Sequence, residues 1–108
     1  MVHRTLMVLK MKGNNSDAIA EAFAAHDKTD LPLTLGACTR TLFQFNDLYI
    51  HLVESNHAEL VQKLYKSHQD PIFSEINSAI GKLVTPYSPN WRELKDNVAA
   101  EFYHHRFE

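Results

Sequence analysis

Hydrophobic positions recur with two different periods along the chain. Residues 1–12 are rich in β-branched and long apolar side chains and contain no glycine or proline. Val2, Leu6 and Val8 fall on one phase of a two-residue alternation; Thr5, Met7, Leu9 and Met11 fall on the other. A strand apolar in both phases needs cover on both faces. Gly13-Asn14-Asn15 carries turn chemistry, and Ser16 before Asp17 reads as a helix N-cap with an acidic first turn. The helix so begun is alanine-rich, runs to about Asp27, and places Ile19, Ala22, Phe23 and His26 on one stripe. Pro32 and Gly36 then interrupt the pattern.

Between residues 37 and 54, the runs CTRTLFQF and LYIHLVE flank Asn46-Asp47, which suits a two-residue hairpin turn. That turn sets the register. Phe45 faces Leu48, Phe43 faces Ile50 and Thr41 faces Leu52, a largely apolar surface expected to pack against helices. The opposite surface pairs Gln44 with Tyr49, Leu42 with His51 and Arg40 with Val53, making Arg40 and His51 diagonal neighbours. A one-residue slip would reverse both assignments.

Residues 57–67 carry helical spacing through Leu60, Val61, Leu64 and Tyr65. Asp70-Pro71 opens a further helix with Phe73, Ile76, Ala79, Ile80 and Leu83 as its stripe. TPYSPN is expected to be an extended connector. Residues 98–107 suit a final strand by their aromatic and β-branched content, although Ala99-Ala100-Glu101 also suits a helix. The order defines an α+β fold, a ferredoxin-like split βαβ unit whose antiparallel sheet carries helices on one face. The face left bare, with Arg40, Leu42, His51 and Val53, is too apolar to stay wet in a monomer. A sheet-on-sheet dimer enclosing a cavity is the expected solution.

Composition narrows the functional classes. With 108 residues, the chain has room for one domain spanning 1–108. Eleven basic against thirteen acidic residues give a formal charge of -2, which offers nucleic acid or an anionic membrane no strong electrostatic footprint. The single cysteine, Cys38, cannot form an internal disulfide and fits a reducing compartment. Residues 1–12 hold no signal-peptide apolar region, and no run approaches the ~20 residues of a membrane span. A soluble cytoplasmic protein is therefore expected. His104-His105 point to opposite sides of a strand, and His57 and His68 lack metal-ligand spacing, so no metal site is expected. The three scattered glycines form no phosphate loop.

The stretches MVHRTLMVLKMK, AEAFAAHDKTDLP, RTLFQFNDLYIHLVE and TPYSPNWRELKDNVAAEFY together resemble the aromatic polyketide cyclases of the tetracenomycin cyclase type. The similarity runs through nearly the whole chain in one register. It implies a ferredoxin-like, dimeric α/β barrel that folds a poly-β-ketone and closes rings by intramolecular aldol condensation and dehydration. It also implies no cofactor, a homodimer, and association with polyketide synthase components. The family's histidine-aspartate pair, second-strand arginine and third-strand histidine fall on His26, Asp27, Arg40 and His51. Phe23, Leu42 and Tyr49 are the candidate substrate-contacting residues beside them. The family pocket lies between helices and sheet, in contrast to the sheet-to-sheet cavity expected above. The chain departs from the family pattern at Ala37-Cys38-Thr39, where a more basic strand is usual, and at Asn46, where histidine is common.

These residue types suit the chemistry. Histidine moves protons near neutral pH, and arginine stabilises charge developing on an enolate or alkoxide oxygen. Each also has a plainer reading. The plainer readings are a helix end for His26 and Asp27, a hydrogen-bonded core histidine for His51, and for Arg40 a surface strand residue paired with Glu54 or another acid. Adjacent helical residues point about 100° apart, so a His26–Asp27 pair requires the helix to end there. Trp91 reads as an anchor for the connector. Two other functions fit the same scaffold: a cofactor-independent anthrone-type monooxygenase, and a non-catalytic ligand-binding or assembly module.

Overall fold

The structure is a computed structural model that describes residues 3–29, 36–56, 71–88, 90 and 94–107. Four antiparallel strands, β1 (His3–Met11), β2 (Ala37–Phe45), β3 (Leu48–Ser55) and β4 (Val84–Pro86), form one sheet in the order β2-β3-β1-β4. Helices α1 (Ser16–His26) and α2 (Pro71–Gly81) pack against each other on one face, and a short 3-10 turn spans Leu94–Asn97. This is the ferredoxin-like arrangement expected from the order of elements.

The hairpin has the register read from its turn. Phe45 pairs with Leu48, Phe43 with Ile50, Leu42 with His51 and Arg40 with Val53. Asn46 supplies the left-handed backbone at φ 56, a conformation asparagine tolerates better than most side chains. The carbonyl of Asp47 accepts the Met11 amide at 2.7 Å, which hooks the turn to the end of β1. A register irregularity between Ala37 and Thr39 leaves Thr39 opposite Glu54.

The faces are inverted relative to the sequence expectation. The core beneath the helices contains Met11, Ile19, Phe23, Tyr49, Ile76 and Val84, with Leu9, Leu42, Ile80 and Leu83 packed against it. Tyr49, His51 and Val53 are buried, whereas Phe43 and Phe45 are 50% and 65% exposed. The helices therefore cover the surface that carries Arg40 and His51, not the more apolar one. A sheet-to-sheet cavity around those two residues is ruled out. The physical reason is that their polar atoms find partners under the helix layer, described below, so burial costs them little.

Other elements depart in smaller ways. The fourth strand is Val84–Pro86, which overlaps the start of the expected connector, and pairs with Leu9 to Met11. Residues 98–107 form neither a regular strand nor a helix. Val98 makes one bridge to Met7, the Ala99 amide donates to the Leu6 carbonyl at 2.7 Å, and the chain then leaves the sheet. Ala99 and Ala100 offer little side chain to pack, and β4 holds the same edge of β1 only from Leu9 to Met11. Asn15, not Ser16, is the α1 N-cap; its side-chain amide donates to the Leu83 carbonyl at 2.8 Å, tying the helix start to the turn before β4. Pro71 opens α2 as expected. The expected helix over 57–67, Pro32, Trp91, His57 and His68 lie outside the described residues.

Ile19 carries the α1 stripe deepest into the core, at 2% exposure. Ile19→Ala should cost about 2–5 kcal/mol, the usual range for emptying a fully buried aliphatic site. Urea unfolding would show this as a lower midpoint at unchanged slope.

Candidate active site

Helix α1 ends where the site begins. His26 is its last residue and Asp27 its C-cap, with φ -72 and ψ -8, its amide donating to the Phe23 carbonyl at 2.8 Å. Thr29 adds a second stop by donating its hydroxyl to the His26 carbonyl at 2.6 Å. The Asp27 carboxylate then meets β2. Arg40 Nε donates to both carboxylate oxygens at 3.0 Å, and Nη2 lies 2.9 Å from Oδ1. The guanidinium stacks over Phe23, with Cζ 4.5 Å from the ring centroid. Arg40 thus pairs with Asp27; Glu54 instead accepts the Thr39 hydroxyl at 3.0 Å.

Arg40 Nη1 lies 2.8 Å from His51 Nε2, and His51 Nδ1 lies 2.7 Å from the Tyr49 hydroxyl. Tyr49 and His51 are two residues apart on β3 and so share a face. Phe23 packs edge-on against His51 at 5.0 Å between centroids and against His26 at 6.4 Å. Leu42, half-buried, sits opposite His51 in the sheet. All seven sequence-derived residues therefore converge on one side of the sheet, beneath or beside α1. His26 and Asp27 do not form a pair, however: Asp27 turns to Arg40, while His26 stands against Phe23. No described residue hydrogen-bonds the His26 ring. A residue the sequence did not single out is Glu75 of α2, whose charge reaches His26 across the helix pair.

The electrostatics follow from burial around one cation. His51, 5% exposed, has its pKa lowered to about 3, first by burial and second by the Arg40 charge. His26 is shifted down by burial and by Arg40, with Asp27 and Glu75 pulling the other way. Burial pushes the Tyr49 phenol upward, opposed by Arg40. At neutral pH the site thus holds two neutral imidazoles, a protonated phenol and one arginine-carboxylate pair. The arginine has five N–H donors. Asp27 engages the Nε hydrogen and one on Nη2, and His51 one on Nη1. One hydrogen on each terminal nitrogen has no acceptor among the described residues. The arrangement can present a cation of fixed orientation to an oxygen atom and a neutral imidazole to a proton. Among the described residues no group of three His, Cys, Asp or Glu is placed to hold a metal ion, and no helix is long and apolar enough to cross a membrane.

A ferredoxin-like sheet with an oriented guanidinium and imidazoles under its helices defines the class: a small α+β domain with a polar cluster between helices and sheet. The family profile described as polyketide synthesis cyclase matches residues 3–106. The chain is 45% identical to tetracenomycin F2 cyclase of Streptomyces glaucescens over 103 residues, covering 95% of this chain and 94% of that protein. It is 34% identical to the polyketide synthase CurG of Streptomyces cyaneus over 104 residues, 95% and 96% of the two chains. The solved structure of tetracenomycin F2 cyclase from Streptomyces glaucescens, described as a type-II polyketide cyclase, superposes with a TM-score of 0.92 at 42% identity, over 98% of this chain and 99% of that one. The chain belongs to the polyketide synthesis cyclase family.

Burial of a neutral His51 makes stability pH-dependent. Folded, the ring stays neutral down to about pH 3; unfolded, it takes a proton below about 6.5. Between these values the unfolded chain binds the extra proton, so stability falls as pH falls from 6.5 towards 3. The His51→Gln variant should lose less stability on acidification than the wild type. The gap should widen by at most about 1.4 kcal/mol per pH unit, read from urea midpoints at pH 7, 5.5 and 4.5.

Proposed function

We propose that this protein closes aromatic rings on a poly-β-ketone delivered by a polyketide synthase, acting in the cytoplasm by intramolecular aldol condensation and dehydration. The observation that carries this reading is the Arg40 guanidinium, held by Asp27 and His51 with two N–H groups that have no acceptor among the described residues. His26, a neutral imidazole without a described hydrogen-bond partner, takes a proton from an activated methylene. The resulting enolate oxygen gains the free N–H groups of Arg40. Carbon–carbon bond formation at a second carbonyl leaves an alkoxide that recovers the proton, and loss of water completes the ring. The sequence is redox-neutral and needs no co-reactant. Asp27 orients Arg40, while Phe23, Leu42 and Tyr49 bound the substrate. Poly-β-ketones enolise readily, so positioning contributes alongside proton transfer.

A homodimer is part of the proposal. The face opposite the helices exposes Phe43 and Phe45 beside half-buried Leu6, Val8, Ile50 and Leu52. Beyond Val98 the chain extends with Phe102, Tyr103 and Phe107 exposed. A bare apolar sheet face and an aromatic arm of this kind gain most from a second copy of the same chain.

Incubation with a linear or partly cyclised polyketide should shift the product distribution towards one ring pattern without consuming oxygen. A distribution identical to that of the spontaneous reaction would refute the cyclase reading, and stoichiometric oxygen uptake would point to a monooxygenase instead. Arg40→Ala should lower kcat/KM on the order of a hundredfold. His26→Ala should slow the reaction without abolishing it, since positioning survives. The paired changes Phe43→Glu and Phe45→Glu should convert a dimer to a monomer in sedimentation equilibrium; a wild type that sediments as a monomer would remove the dimer from the proposal.

A further inference from the structure

The hydrogen bonds from Arg40 to Tyr49 have only one consistent direction. Guanidinium nitrogens donate and never accept, so Arg40 Nη1 donates to His51 Nε2, which must carry a lone pair. A charged imidazolium would set two donors against each other at 2.8 Å. The ring is therefore neutral with its proton on Nδ1, and Nδ1 donates to the Tyr49 oxygen at 2.7 Å. That oxygen is an acceptor towards His51, so the phenolic hydrogen points elsewhere. Tyr49 is 4% exposed, and its companions in the core are Met11, Ile19, Phe23, Ile76, Val84 and Leu42. None of these side chains offers a strong acceptor, and no described residue accepts the Tyr49 hydrogen. A buried hydroxyl left in that state destabilises a fold. An acceptor that arrives with the substrate resolves it.

We propose that Tyr49 is a catalytic hydrogen-bond donor, presenting its phenolic hydrogen to a carbonyl oxygen of the bound polyketide, and that His51 is the positioning residue that aims it. This deepens the cyclase reading and rests on it. His51 then takes no proton from substrate: its Nε2 lone pair is occupied by Arg40 and its Nδ1 hydrogen by Tyr49. His26 is the imidazole left to accept one. The hydrogen on Tyr49 stays covalently bound throughout, consistent with the upward push that burial gives its pKa. One substrate oxygen gains Arg40 and another gains Tyr49, so the pair fixes which carbonyls meet.

Long-range proton–nitrogen spectra of 15N-histidine-labelled protein test the geometry without substrate. His51 should show a protonated Nδ1 and an unprotonated Nε2 from pH 7 down to pH 5. An Nε2–H tautomer, or a charged ring at pH 6, would overturn the proposal. Kinetics test the role on a polyketide that the wild type cyclises. Tyr49→Phe, with an unchanged circular dichroism spectrum, should lower kcat about tenfold, the loss of one neutral hydrogen bond, with KM within about twofold. His51→Ala should fall similarly. His51→Gln, whose amide offers one acceptor and one donor, should recover part of that loss, which a proton-transferring base would not allow. A Tyr49→Phe enzyme at wild-type kcat, or His51→Gln as slow as His51→Ala, would overturn the assignment. A wild type that accelerates no cyclisation would refute the cyclase reading and with it the catalytic role of Tyr49, while the nitrogen spectra would still report the His51 tautomer.

Discussion

A guanidinium held under a helix layer governs how this chain is arranged. Arg40 is mostly covered, and an unpaired charge there would cost several kcal/mol. Asp27 offsets that cost with a two-oxygen contact, Phe23 lies beneath the plane, and His51 accepts at one end. The three partners come from the end of α1, the middle of α1 and β3. Satisfying one cation therefore fixes where the helix stops relative to the hairpin. It also dictates the state of the neighbouring ring, because a donor that cannot switch roles forces His51 to be neutral.

The hairpin register was legible because it depends on local chemistry. Asn46 can adopt a positive φ, and two strand-like runs of matching length flank it. The face that meets the helices was not legible by counting apolar residues. Phe43, Phe45, Leu48 and Ile50 outnumber the apolar residues around Arg40 and His51, yet the helices cover the latter. Hydrophobic periodicity counts side chains one at a time, whereas the burial of Arg40, His51 and Tyr49 depends on their satisfying one another. That closure involves Asp27, on another element, and no spacing in the hairpin reveals it. The resemblance to the cyclase family, which implies a pocket between helices and sheet, agrees with the observed side.

The same distinction explains the edges of the sheet. A three-residue strand ending at Pro86 gives too few alternations to register as a strand, and it forms because β1 offers an unpaired edge at Leu9 to Met11. Residues 98–107 have stronger strand composition, yet they meet β1 only at Met7 and Leu6, although β4 occupies no more of that edge than Leu9 to Met11. The aromatic side chains of that arm and the bare face of the sheet are left with a common need for cover, while Phe23, His26, Asp27, Arg40, Leu42, Tyr49 and His51 all come from one chain.

The charge arrangement around Arg40 suits the proposed ring closure better than a simple acid-base pair would. Asp27 and Arg40 pair as opposite charges, and in the proposed reaction a neutral poly-β-ketone meets that pair, with Glu75 the further charge that reaches His26. In the proposed reaction a negative oxygen appears when a methylene loses its proton, and Arg40 has two N–H groups without an acceptor among the described residues to meet it. Such donors act without reorganising during the reaction, which is where electrostatic catalysis gains its advantage. A charged histidine beside Arg40 would be repelled by it, and the downward shift of both imidazoles avoids that repulsion. The orientation of the guanidinium thus follows from the same contact that ties α1 to the hairpin.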